Sequence, residues 1–223
     1  MIKTSDLVSS LARDLPPVRR LRPPLVRAGC WLMLAAAILA LLAVAQGLRP
    51  DLARCLDDPA FVTGLAASLL TGILAAVAAF LVSLPDRSRL WLLLPLPALV
   101  IWLSNTGYQC LSQWVSVGPD GISSGEAARC FATLVLTSLP LSLVMLVMLR
   151  HAAPLRPRIV TVTGSLSVAA LTASALSLFH ALDATMMILM WNLGTAIIFV
   201  ALGGVFSRRM FRWVAPRAPT ISQ

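Results

Sequence analysis

Six apolar runs separated by short polar stretches account for most of the chain. They fall at Ala28–Gln46, Phe61–Leu84, Leu90–Tyr108, Phe131–Leu149, Ile159–Phe179 and Ala184–Phe206, and none contains Asp, Glu, Lys, Arg or His. Each is roughly 19 to 25 residues long, enough for a helix to cross a hydrocarbon core of about 30 Å with every backbone polar group paired internally. The pattern therefore predicts an all-α fold: a polytopic membrane bundle of six transmembrane helices over residues 28–206. A 27-residue leader precedes it and a basic tail, 207–223, follows.

Charge then sets the expected orientation. If successive connections alternate sides, 15 of the 18 Lys and Arg residues share one side with the N-terminus, including Lys3, Arg19, Arg20, Arg87, Arg150 and Arg208. The other side holds Arg49, Arg54 and Arg129 together with Asp51, Asp57, Asp58, Asp120, Glu126 and Asp183. Basic loops stay in the cytoplasm, so both termini are expected there, in a bacterial inner membrane. The net charge of +9 is accounted for by topology, and no direct nucleic-acid partner is expected.

The leader is the only sizeable cytoplasmic piece. Leu7, Val8, Leu11 and Leu15 recur at helical spacing, so Ser5 to about Asp14 reads as a short amphipathic helix. Pro16-Pro17 ends it, because proline has no amide hydrogen to donate. A basic stretch with Arg19 and Arg20 follows, and Pro23-Pro24 reads as a second interruption before the membrane. Three helical turns are marginal alone in water. The apolar stripe must lie against a protein partner or against anionic lipid.

Candidate chemistry gathers on the outer side. Cys55, Cys110 and Cys130 are expected in an oxidising compartment, whereas Cys30 is expected as a reduced, packed thiol at the cytoplasmic end of the first span. Cys110 ends the third span and Cys130 opens the fourth, which as adjacent antiparallel helices would bring them to one surface. Three outer thiols allow three pairings. A Cys110–Cys130 bridge would close a loop of about 20 residues, worth several kcal/mol in principle. His180 sits at the mouth of the last outer hairpin, with Asp183 three residues on. Two thiols, an imidazole and a carboxylate would suit zinc or copper. They would equally suit a redox sensor in which His180 lowers a thiol pKa, or a structural disulfide beside an interfacial histidine.

Catalytic motifs are missing: there is no phosphate loop, GxSxG, HExxH or CxxC, and no enzyme activity or bound cofactor is expected. Serines and threonines in the spans are expected to bond back to their own helix. Asn105, Gln109 and Asn192 are expected to bridge helices, and the six tryptophans to anchor span ends at the interface.

Several phrases in order along the six spans resemble the NrsF-type membrane anti-sigma factors, negative regulators of extracytoplasmic-function (ECF) sigma factors. They are Asp14-Leu-Pro-Pro-Val-Arg-Arg-Leu-Arg-Pro-Pro24, Gly47-Leu-Arg-Pro-Asp51, Ser83-Leu-Pro-Asp-Arg-Ser88, Ser138-Leu-Pro140, Arg150-His-Ala-Ala-Pro-Leu-Arg-Pro157 and Leu178-Phe-His-Ala-Leu-Asp183. The resemblance implies a protein that holds its sigma factor at the cytoplasmic face and releases it on an outer signal. It also implies two sensing cysteines, one at the start of the fourth span and one in the last outer hairpin. Cys130 matches the first, and His180 stands at the second. The competing function is a small-solute transporter or channel, with a path past Ser104, Asn105, Thr106 and Asn192. Ion-coupled transport usually leaves ionisable groups inside the spans, and the six runs have none.

Overall fold

A computed structural model describes residues 22–113, 124–149 and 157–179, with 197, 198 and 201. Side chains are described over 22–108, 132–149 and 158–179 and at those three positions. All regular structure among these residues is helical: α1 (Pro24–Gln46), α2 (Leu52–Leu56), α3 (Pro59–Val82), a 3₁₀ turn (Arg89–Leu93), α4 (Leu96–Gln113), α5 (Ser124–Leu149) and α6 (Pro157–Phe179). Five segments are long and apolar enough to cross a membrane, the composition of a multi-pass membrane protein. Nearly all of the expected sixth span, Ala184–Phe206, lies outside the described residues.

The helix ends follow local chemistry, and here the hydropathy limits needed correction. Pro24 does not interrupt the chain before the membrane: it occupies the first position of α1, where its fixed φ suits a helix and its missing N–H costs nothing. The helix thus starts four residues before Ala28. Pro59 and Pro157 open α3 and α6 in the same way. At α3 the Asp58 carboxylate also accepts from the Ala60 N–H at 3.0 Å. Gly47 ends α1 in the left-handed region, φ +77°, and its N–H closes on the Ala43 carbonyl at 3.1 Å. The third span, expected as one helix from Leu90, is a 3₁₀ turn followed by α4. Pro95 and Pro97 lack the donors that an unbroken helix would need there.

Helices α3 and α6 form the central pair. Small residues let them approach: Ala75, Ala76, Ala79, Ala170 and Ser174 are all buried. Ser167 Oγ donates to the Gly72 carbonyl at 2.6 Å, and the Ser68 and Ser174 hydroxyls meet at 2.8 Å. Helix α4 lies on α3, with Trp102 reaching Ala170 and Ala173 of α6. Helices α1 and α5 pack on the central pair and on each other. Trp31, Phe80, Leu141, Met145 and Val168 form the main core where these four helices meet.

Three expectations about side chains changed. Trp31 and Trp102 are core residues, not interfacial anchors, with Trp31 fully buried. Cys30 is a free, exposed thiol on the outside of α1 and is not packed. Among the described residues the third and fourth spans, α4 and α5, share no substantial packing interface: one lies on α3, the other on α6 and α1. The expected local bonds are present, for example Thr71 to the Ala67 carbonyl at 2.7 Å and Thr137 to the Thr133 carbonyl at 2.7 Å.

Candidate functional site

Two regions at opposite ends of the bundle hold its charged side-chain contacts. At the end expected to face outward, α1 stops at Gln46, whose side-chain oxygen accepts from Thr133 Oγ1 of α5 at 2.8 Å. The chain then turns at Gly47, and the Arg49 N–H donates to the Leu178 carbonyl at 3.1 Å. That carbonyl lies in the last turn of α6, where helix acceptors lack partners of their own. The segment from Gln46 to Arg49 therefore straps the end of α1 to both α5 and α6.

The strap is held in shape by its own side chains. Arg49 donates from Nε and Nη2 to the two carboxylate oxygens of Asp51, at 2.8 and 2.6 Å. Its guanidinium carbon also sits 5.7 Å from the Phe61 ring centroid. Cys55 Sγ donates to Asp51 Oδ2 at 3.6 Å. The two bonds from Arg49 hold the Asp51 carboxyl down at about 2. Burial pushes the Cys55 thiol up; Arg49 opposes the rise and the Asp51 carboxylate adds to it. A thiol held in its protonated form is a poor nucleophile and a poor metal ligand, so Cys55 is poorly suited to sensing.

A pH prediction follows from the Arg49–Asp51 pair. Asp51 in the folded chain lies below its ordinary value of 3.8. The pair's contribution to stability is therefore full above about pH 4 and is lost as pH falls through about 2. Carboxyl NMR should show Asp51 ionised at pH 3, and Arg49→Gln should return it to the ordinary carboxylate range. Asp51 titrating near 4 in the unsubstituted protein would contradict the paired geometry.

Of the expected sensing residues, the described helices carry only the two cysteines. Cys130 lies on α5 one turn before Thr133, and Cys110 lies in the last turns of α4, but both side chains are outside the described set. His180 directly follows the last residue of α6, and it and Asp183 also lie outside the described residues. No group of three or more His, Cys, Asp or Glu among the described residues could hold a metal ion. Asn105 Nδ2 donates to the Ala60 carbonyl at 3.0 Å, joining α4 to α3 as expected of a helix bridge.

At the opposite end, Arg27 enters the core. It is 7% exposed, donates from Nη2 to the Met148 carbonyl in the last turn of α5, and lies 5.3 Å from the Phe80 ring centroid. A cation at a helix C-terminus meets both the orphan carbonyls and the negative end of the dipole. Its other amino nitrogen, Nη1, is buried without a partner. Between these ends, Trp31 Nε1 donates to the Leu141 carbonyl of α5 at 3.2 Å. Sequence reasoning assigned Arg27 to the basic leader and Trp31 to the interface. The available signal was Arg27's place only three residues inside a Pro-started helix. The docking candidates Leu7, Val8, Leu11, Leu15, Arg19 and Arg20 lie outside the described residues.

Comparison with known proteins gives one family: the NrsF profile, described as negative regulator of sigma F, matches residues 11–213. No curated protein and no solved structure matches the chain significantly.

Proposed function

The chain belongs to the NrsF family, negative regulators of sigma F and not a family of enzymes, and from that premise we propose how it acts. It is a membrane-embedded anti-sigma factor that sequesters an ECF sigma factor at the cytoplasmic face of the inner membrane. It lets the sigma factor go when a periplasmic redox or metal signal reaches its outer residues. The family match carries this reading, because it runs from the leader through all the described helices.

Within that reading, the leader is the docking element. Leu7, Val8, Leu11 and Leu15 offer a stripe for an apolar groove, and Arg19 and Arg20 add charge for an acidic rim. A segment this short orders on contact. The excess of arginine on the leader's side supports a cytoplasmic N- and C-terminus. Cys110, Cys130, His180 and Asp183 are the proposed sensing set. Cys and His ligands would take zinc or copper, and a thiol pair would take an oxidant.

The deciding test is purification of the tagged full-length chain from native membranes in mild detergent, with co-purifying proteins identified by mass spectrometry. A sigma factor should accompany the full chain and be absent when Met1–Leu15 is deleted. An intact full-length protein that brings down no sigma factor from unstressed cells would overturn the reading.

A further inference from the structure

The hydrogen bonds described above have a common direction. Gln46–Thr133 joins α1 to α5 at the outer end, and Trp31–Leu141 and Arg27–Met148, one turn apart on α1, join them toward the inner end. As positions fall along α1 they rise along α5, so the two helices run antiparallel. From Arg27 to Gln46 the ties span about 28 Å, most of a hydrocarbon core. An apolar environment provides no competing donors, so each tie constrains the pair at its own level.

The two helices also join the two ends proposed to matter. Helix α5 carries Cys130 one turn outward of Thr133, while α1 continues the chain directly from the leader at Pro24. These side-chain bonds tie the outer strap to the inner end at three positions along α5. The innermost contact is also incomplete: Arg27 satisfies one amino group on the Met148 carbonyl and leaves Nη1 buried and unpaired. A buried donor without a partner disfavours the arrangement that contains it. This end of the pair is thus poised to change, held by α5 but not optimal for Arg27.

We infer that α5 holds α1 in the position that retains the sigma factor, through these three hydrogen bonds, and that Gln46, Trp31 and Arg27 are the positioning residues of this latch. The inference rests on the reading of the leader as the docking element. A change at the outer end of α5 shifts α1 along its length, and through the chain connection at Pro24 it weakens the hold on the sigma factor. Two sites coupled in this way share a two-state element, which is the physical content of the claim.

The test uses the full-length protein in nanodiscs and the sigma factor that co-purifies with it. Its affinity is measured for the unsubstituted chain and for Gln46→Leu, Trp31→Phe and Asn105→Ala. Gln46→Leu removes a bond at the end of α1 farthest from the leader, yet it should weaken sigma-factor binding by roughly fivefold or more. Trp31→Phe keeps an aromatic ring but removes the indole N–H, and should weaken it similarly. Asn105→Ala removes a comparable bond between α3 and α4 and should leave affinity unchanged. If Gln46→Leu fails to fold, Thr133→Val removes the same bond from the other partner. Unchanged affinity in Gln46→Leu and Trp31→Phe, or an equal loss in Asn105→Ala, overturns the latch. Deleting Met1–Leu15 separates the two ideas. Lost binding in the deletion with unchanged binding in Gln46→Leu defeats the latch alone. Retained binding in the deletion with weakened binding in Gln46→Leu defeats leader docking and keeps the α1–α5 coupling. No sigma-factor binding by the unsubstituted chain overturns both.

Discussion

Gly72→Val leaves no folded protein in the membrane. A Cβ on Gly72 would lie 2.8 Å from Leu171 Cγ and 2.9 Å from its Cδ2, and 3.3 Å from the Leu171 backbone nitrogen. The Leu171 side chain can rotate away from one methyl group, but the backbone of α6 cannot. Gly72→Ala should therefore cost about 1–3 kcal/mol as overpacking. The two further methyls of valine must separate α3 from α6 and break the 2.6 Å bond from Ser167 to the Gly72 carbonyl. Because α3 and α6 are the pair on which the other described spans rest, the loss spreads through the bundle. Membrane abundance, followed by thermal unfolding in mild detergent, measures this. Gly29, with nothing within 4 Å of its added Cβ, is the control: Gly29→Ala should be tolerated. A Gly72→Val protein with a normal melting temperature would mean that the helices are not this close.

The second large effect is at Trp31. Its side chain is fully buried among residues of α1, α3, α5 and α6. Trp31→Ala should cost about 3–5 kcal/mol, the range for truncating a large aromatic in a packed core. In a membrane protein this loss is mainly dispersion, since lipid chains are as apolar as the core itself. Trp31→Phe removes the donor to the Leu141 carbonyl together with part of the indole, and should cost less than Trp31→Ala, about 1–3 kcal/mol. Titration with a denaturing detergent reads both. Equal losses in the two variants would assign the whole effect to the pyrrole half of the indole with its N–H, and no loss in Trp31→Ala would place the residue at the lipid surface.

The fold class was legible because a hydrocarbon solvent imposes one strong rule, a helix of about 20 apolar residues. Five of the six runs contain helices where hydropathy placed them, and the expected Asn105 bridge and the Ser and Thr back-bonds follow from the same shortage of donors. The boundaries were less legible. A hydropathy window ignores that Pro24 can start a helix, or that Pro95 and Pro97 can split one. Of the candidate site, the cysteines and the leader stripe were visible by residue type and spacing. The strap was not, because Gln46, Arg49 and Thr133 are unremarkable as single residues and gain meaning only from their partners.

By itself, then, the sequence determined that the chain is helical and that its apolar runs are those of a multi-pass membrane protein. These properties depend on each segment's own composition. Which helices touch was decided only in three dimensions. The spans are apolar on every side, so no period marks the face that will be buried. The choice falls to shape, as where Gly72 admits Leu171, and to polar groups with no water to turn to, as where Arg27 finds Met148 and Trp31 finds Leu141.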